Sequence, residues 1–177
     1  HPDIPVGLLV YANLVYAPGP AEFYARAAAA GVDSVLVADV PLEESRPFRA
    51  AAAAAGVGHV SLVAPTCGAG RMEAVRLAGG PYLYVVSRVG VTGQDEDLAD
   101  SAESLLRELK SKCETPLLLG FGISEPDHVR AARAAGANGA ISGSAIVSII
   151  NRQIGDRPSL LDEVRTFVRQ MKQATLP

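Results

Sequence analysis

The chain has 177 residues, 16 Lys plus Arg against 19 Asp plus Glu, and a composition that is 49% hydrophobic but only 5% aromatic. A domain of this length buries about 70% of the surface its unfolded chain exposes, so neither metal nor disulfide is needed to hold it together. The formal net charge of -3 speaks against nucleic acid as a partner, and no apolar run reaches the roughly 18 residues a membrane span requires.

In chain order, HPDIPVG opens without a basic stretch before an apolar one, so no signal peptide is expected. A start without Met on a strand-like run reads as the middle of a domain. Short β-branched or Leu-rich runs then recur about every 25 to 30 residues: VGLLVY (6–11), VDSVLVAD (32–39), HVSLVAP (59–65), YLYVVS (82–87), PLLLG (116–120) and GAISG (139–143). They are apolar on both faces, as expected of parallel strands covered on each side. Helices are predicted between them at 21–31, 48–56, 98–112 and 127–136. Three of these stretches end in Gly, the usual C-terminal stop. A terminal helix over 160–172 places Leu161, Val164, Phe167, Val168 and Met171 on one stripe. The Ala50–Ala55 run is helix, because Ala is the best helix former and packs closely on a sheet.

Six strand-helix units leave an open doubly wound sheet or a barrel. No Gly-x-Gly-x-x-Gly turn follows VGLLVY, which disfavours the first. An eight-unit barrel takes about 250 residues, the same cost per unit. The fold class is therefore α/β, a TIM (β/α)8 barrel represented by six of its eight units, with 1–177 as one partial domain.

Barrel chemistry sits at the C-terminal ends of the strands. There GFGIS (120–124) is a glycine turn through which backbone N–H groups approach a ligand, and SGSAIV (142–147) opens a short helix with its positive dipole end outward. Together they read as a phosphate site that needs no Lys or Arg. The long, glycine-bearing loop SRVGVTGQDED (87–97) reads as a lid. Tyr84 is expected to point into the barrel as core. Asp39 is the one acidic residue at a strand end, and its expected role is to hold neighbouring backbone. Glu43 and Glu44 read as capping charge at a helix start. His1, His59 and His128 cannot cluster, and Cys67 has no facing His, so neither a metal site nor a cysteine nucleophile is expected. Cys67 and Cys113, without Cys-x-x-Cys spacing, suit a reducing and hence cytoplasmic setting.

VGLLVYANLVY, SVLVADVPLEES, YLYVVSRVGVTG, GFGIS and GAISGSAIV, in this order and spacing, resemble the tryptophan synthase α-subunit family over essentially the whole chain. The six units resemble its third to eighth. The resemblance implies a lyase of tryptophan biosynthesis that cleaves indole-3-glycerol phosphate to indole and glyceraldehyde 3-phosphate, without a cofactor of its own, and hands indole to a β subunit in an α2β2 assembly. It places the phosphate on Gly93, Gly122, Gly143 and Ser144, and lines the indole slot with Leu9, Leu36, Ala38, Leu62, Tyr84, Val86, Phe121 and Ile141. Thr92 would belong to the closing lid, and Asn13, Tyr16 and Pro41 to the β-subunit face. The family's catalytic glutamate and aspartate lie on the first two barrel strands, ahead of residue 1, so no catalytic residue is assigned, Asp39 and Tyr84 being supporting at most. A related phosphate-binding isomerase should carry acidic residues on two opposed strand ends, where here only Asp39 qualifies. A non-catalytic phosphate-binding or interaction module is the remaining alternative.

Overall fold

The computed structural model describes residues 3–65, 67–86 and 97–176. In chain order the elements are β1 (Gly7–Val10), α1 (Ala12–Tyr16), α2 (Pro20–Ala29), β2 (Ser34–Val37), α3 (Arg46–Ala55), β3 (Gly58–His59), β4 (Ser61–Val63), α4 (Ala69–Ala78), β5 (Leu83–Val86), α5 (Asp97–Lys112), β6 (Leu117–Gly120), α6 (Pro126–Ala134), β7 (Gly139–Ile141), α7 (Ser144–Arg152) and α8 (Arg157–Gln173). Each predicted strand appears as a short parallel or sheet-forming run, the third as two pieces separated at Val60. The chain divides into two compact units, His1–Val63 with Cys67–Leu83, and Ala64–Thr66 with Tyr84–Pro177.

In the first unit β1, β2 and β3 form a parallel sheet in that order. Its register pairs Leu8 with Val35, Leu9 with Leu36 and Val10 with Val37, and Val35 with His59. Because side chains alternate along a strand, Val35 and Val37 face one side, where they pack with Val15, Tyr24, Phe48 and Ala52 of the helices. Leu9 and Leu36 face the other. Burying each large side chain of that cluster contributes about 1.5–3 kcal/mol. The Ala-rich α3 lies close because its helical face is methyl-sized. It ends at Gly56, whose φ of 71° is the left-handed cap that glycine permits.

In the second unit β5, β6 and β7 are neighbours in that order, and β6 runs parallel to β7 with Gly120 opposite Ile141. α8 packs on α6 and α7, and its first turn is capped by the Asp156 carboxylate, which accepts from Ser159 N–H at 3.2 Å.

Four expectations change. The five-residue α1 is not among the predicted helices, whereas α4 fills the helix place that the strand-helix alternation puts between the third and fourth predicted strands. Glu43 and Glu44 lie in a one-turn 3-10 helix, Leu42–Glu44, ahead of α3, whose N-cap is Ser45. His59 lies in β3 rather than before a strand. On α8 the predicted stripe is only partly covered: Met171 is buried, Val164 and Phe167 half-buried, but Leu161 and Val168 are exposed, at the flanks of the face that meets α6 and α7.

Candidate functional site

The register of the last two strands sets the end where the two glycine-bearing loops begin. Since Gly120 sits opposite Ile141, Gly122 and Gly143 each lie two residues beyond a paired position on neighbouring strands, which run about 4.8 Å apart. Phe121 and Gly122 both adopt left-handed backbone, with φ of 68° and 76°. Glycine does so freely, whereas Phe121 stores strain of order 1 kcal/mol, a cost that concentrates at ligand sites. The turn is tied down behind by buried Ile123 and by Ser124 N–H donating to His128 Nδ1 at 3.2 Å. Gly143 is the N-cap of α7, exposed and without a side-chain cap. Its carbonyl accepts from Ile146 and Val147, which leaves the N–H groups of Ser144 and Ala145 at the open helix end.

Tyr84 is 8% exposed, and its ring meets Phe121 edge-on at 6.4 Å between centroids. Phe121 is itself 55% exposed. Gly120 makes room for this arrangement, since a Cβ there would overlap the Tyr84 hydroxyl and ring. Of the other residues expected around an aromatic ring, Val86 is buried and Ile141 half-buried in the second unit, while in the first unit Leu36 is buried and Leu9, Ala38 and Leu62 are exposed. Thr92 and Gly93, with the rest of 87–96, lie outside the described residues.

At the C-terminal end of the first unit's sheet, Asp39 accepts from Ala12 N–H at 2.8 Å and so fixes the start of α1. This is the backbone-holding role expected of it. α1 carries Asn13 and Tyr16, both exposed, and Pro41 is exposed just past β2. Tyr16 rests edge-on against buried Phe48 at 5.1 Å, which holds its ring while one side faces outward.

A family model described as tryptophan synthase alpha chain matches residues 1–176. The chain belongs to the tryptophan synthase alpha chain family. Among curated relatives, the tryptophan synthase alpha chain of Cronobacter sakazakii is 51% identical over 177 residues, all of this chain and 66% of its own length. That of Shewanella amazonensis is 51% identical over 175 residues, 99% of this chain and 66% of its own. Among solved structures, the tryptophan synthase complex of Pyrococcus furiosus superposes with a TM-score of 0.82 at 30% identity, covering 96% of this chain and 66% of that one. The alpha chain of Legionella pneumophila gives 0.85 at 26% identity, covering 99% and 64%. The fold is thus that of the alpha-chain TIM barrels, in part: the chain spans 66% of the length of these curated relatives.

Sequence reasoning missed two features. The left-handed Phe121 has no sequence signal, because a bulky residue gives no warning of positive φ. The unpartnered polar atoms of His59 and Ser61 were also unforeseen, since pairing is settled only in three dimensions.

Proposed function

We propose that this chain serves a lyase of tryptophan biosynthesis, the alpha-chain step in which indole-3-glycerol phosphate is cleaved to indole and glyceraldehyde 3-phosphate. The observation that carries the reading is the register that sets Gly120 opposite Ile141, so that the turn bearing Gly122 and the start of α7 at Gly143 and Ser144 follow neighbouring strand ends and offer backbone N–H groups and a helix dipole to an anion. Gly93 would complete the phosphate contact and Thr92 the lid. In the second unit, Tyr84, Val86, Phe121 and Ile141 would offer apolar surface to the indole ring.

The cleavage needs a proton delivered to indole C3 and another removed from the side-chain hydroxyl. Asp39 is engaged with Ala12 N–H, so its part is to position α1. The acid and base belong to the two strands that precede this region in the family's barrel. The role left to these residues is to anchor the phosphate, which fixes the distance from that anchor to the scissile bond. Asn13, Tyr16 and Pro41 form the face for a β subunit in an α2β2 assembly, and the enzyme works in the cytoplasm.

Gly122→Val in the intact enzyme tests the site. A β-branched side chain at positive φ closes the turn, and affinity for glycerol 3-phosphate measured by calorimetry should drop about 10-fold or more. KM for indole-3-glycerol phosphate should rise in parallel. Unchanged affinity would remove the two loops from the phosphate site. Binding without turnover in the unaltered intact protein would favour a non-catalytic phosphate-binding module.

A further inference from the structure

The turn after β6 has a shape that it does not keep by itself. Phe121 and Gly122 are both left-handed, with φ of 68° and 76°, and such backbone persists in a bulky residue only where its surroundings impose it. The turn is exposed on either side of one buried side chain, Ile123. Its far end is fixed by the Ser124 N–H, which donates to His128 Nδ1 at 3.2 Å. The Ser124 hydroxyl lies farther from the same nitrogen, at 3.4 Å.

His128 stands at the third position of α6, after Pro126 and Asp127. A Glu or Gln at that position commonly turns back to accept from the N–H of the N-cap residue. The N-cap here is Glu125, whose own side chain makes no cap bond. His128 reaches one residue further back, and so gives its acceptor to the loop instead of the helix. Its N–H meanwhile donates to the Glu125 carbonyl at 3.1 Å. Because Nδ1 accepts from a backbone N–H, the neutral ring carries its proton on Nε2. The helix behind the ring is anchored: Val129 and Ala132 are buried, and α6 packs on β7 and α8. Arg133 on the same helix donates to the carbonyls of Ala137 and Asn138 at 2.9 and 3.2 Å, just ahead of β7. One helix thus ties the Ser124 end of the turn to the strand that leads to Gly143.

We propose that His128 is a positioning residue of the phosphate site: its ring holds the left-handed Phe121–Gly122 turn in the shape that offers backbone N–H groups before the anion arrives. This role rests on the phosphate reading of the turn and deepens it, by naming a side chain outside the contact set that governs affinity. A loop ordered beforehand need not be ordered at the expense of binding. A phosphate contact made equally in the ground and transition states moves KM rather than kcat. A side chain that accepts at the same reach, as a Gln amide oxygen does from this helix position, should serve in place of the imidazole; one that cannot accept should not.

The test compares His128→Leu, His128→Gln and Gly122→Val in the intact enzyme. Because His128 is exposed, neither of its replacements disturbs the core, and unfolding midpoints close to that of the unaltered protein are expected. His128→Leu should weaken glycerol 3-phosphate binding in calorimetry about 3- to 10-fold and raise KM for indole-3-glycerol phosphate in parallel, with kcat nearly unchanged. His128→Gln should retain the affinity to within about 2-fold. In the unaltered protein, nitrogen-15 NMR of the ring should place the proton on Nε2, a result that depends on no variant. Affinity unchanged in His128→Leu while Gly122→Val weakens it overturns the proposal and leaves the phosphate reading standing. Equal losses in the Leu and Gln variants, an effect confined to the unfolding midpoint, or a neutral ring protonated on Nδ1 overturns it as well. No effect of Gly122→Val removes the phosphate reading and the role of His128 with it.

Discussion

At Gly120 the missing side chain is a packing requirement. A Cβ would overlap Tyr84, which is buried and cannot swing clear. Gly120→Ala should therefore destabilise by about 1–3 kcal/mol, the usual cost of overpacking. Tyr84→Val in the same chain should recover part of that loss by opening space, so that denaturant unfolding of the two single variants and the double variant gives a clear coupling energy. Additive losses would mean that the two residues do not share the space. His59 offers a second test at this scale. Burial chiefly, and the Arg49 charge after it, hold its folded pKa down to about 4, below the ordinary 6.5, so between those values the unfolded chain binds the proton more readily. Stability from this group is complete above about pH 7 and declines as pH falls from 6.5 toward 4. After allowance for partial exposure the decline amounts to about 1–2 kcal/mol. Comparing unfolding midpoints at pH 7 and pH 5 for the protein and His59→Gln should show that increment vanish in the variant.

Among elements, β1 depends on two carboxylates. The strand has four residues and pairs on one side only among the described residues. Asp33 accepts from Val6 N–H at 2.7 Å before its start, and Asp39 accepts from Ala12 N–H at 2.8 Å after its end. Both aspartates flank β2, so the two strands are clamped at both ends in the register that brings Leu9 against Leu36. Each bond contributes about 1 kcal/mol. Asp33→Ala with Asp39→Ala should accelerate amide exchange in Leu8–Val10 about 10-fold or more relative to β6, because local opening of an edge strand needs less free energy than global unfolding. Equal exchange in both strands would show that side-chain packing alone holds β1.

For the molecule as a whole, the exposed edge of β1 lies among exposed Ile4, Val6 and Leu9. Such an edge pairs readily with other strands. A polypeptide made of these 177 residues and nothing more is expected to self-associate, which light scattering over a concentration series would detect. It should also show no cleavage of indole-3-glycerol phosphate, since each positioned proton-transfer group is worth roughly 10²–10⁴-fold. A monodisperse monomer with clear turnover would contradict both expectations and point to Asp39 or Tyr84 as the catalyst.

The sequence by itself determined the succession of parallel strands and helices and the two glycine-bearing loops proposed to hold the phosphate. Periodicity, Gly stops and β-branched runs are local properties, and backbone N–H groups at a glycine turn or helix start need no distant partner to be recognised. Only tertiary structure decided the rest. That the loops of Gly122 and Gly143 follow neighbouring strand ends comes from the β6–β7 register, and that Asp39 holds Ala12 N–H comes from the β1–β2 register. The left-handed backbone of Phe121 and the edge-on contact of its ring with Tyr84 are likewise features of the folded turn alone. The half-covered stripe of α8 and the unpartnered polar atoms of His59 and Ser61 share that origin: burial and pairing depend on which surfaces meet, and residues far apart in the chain settle this together.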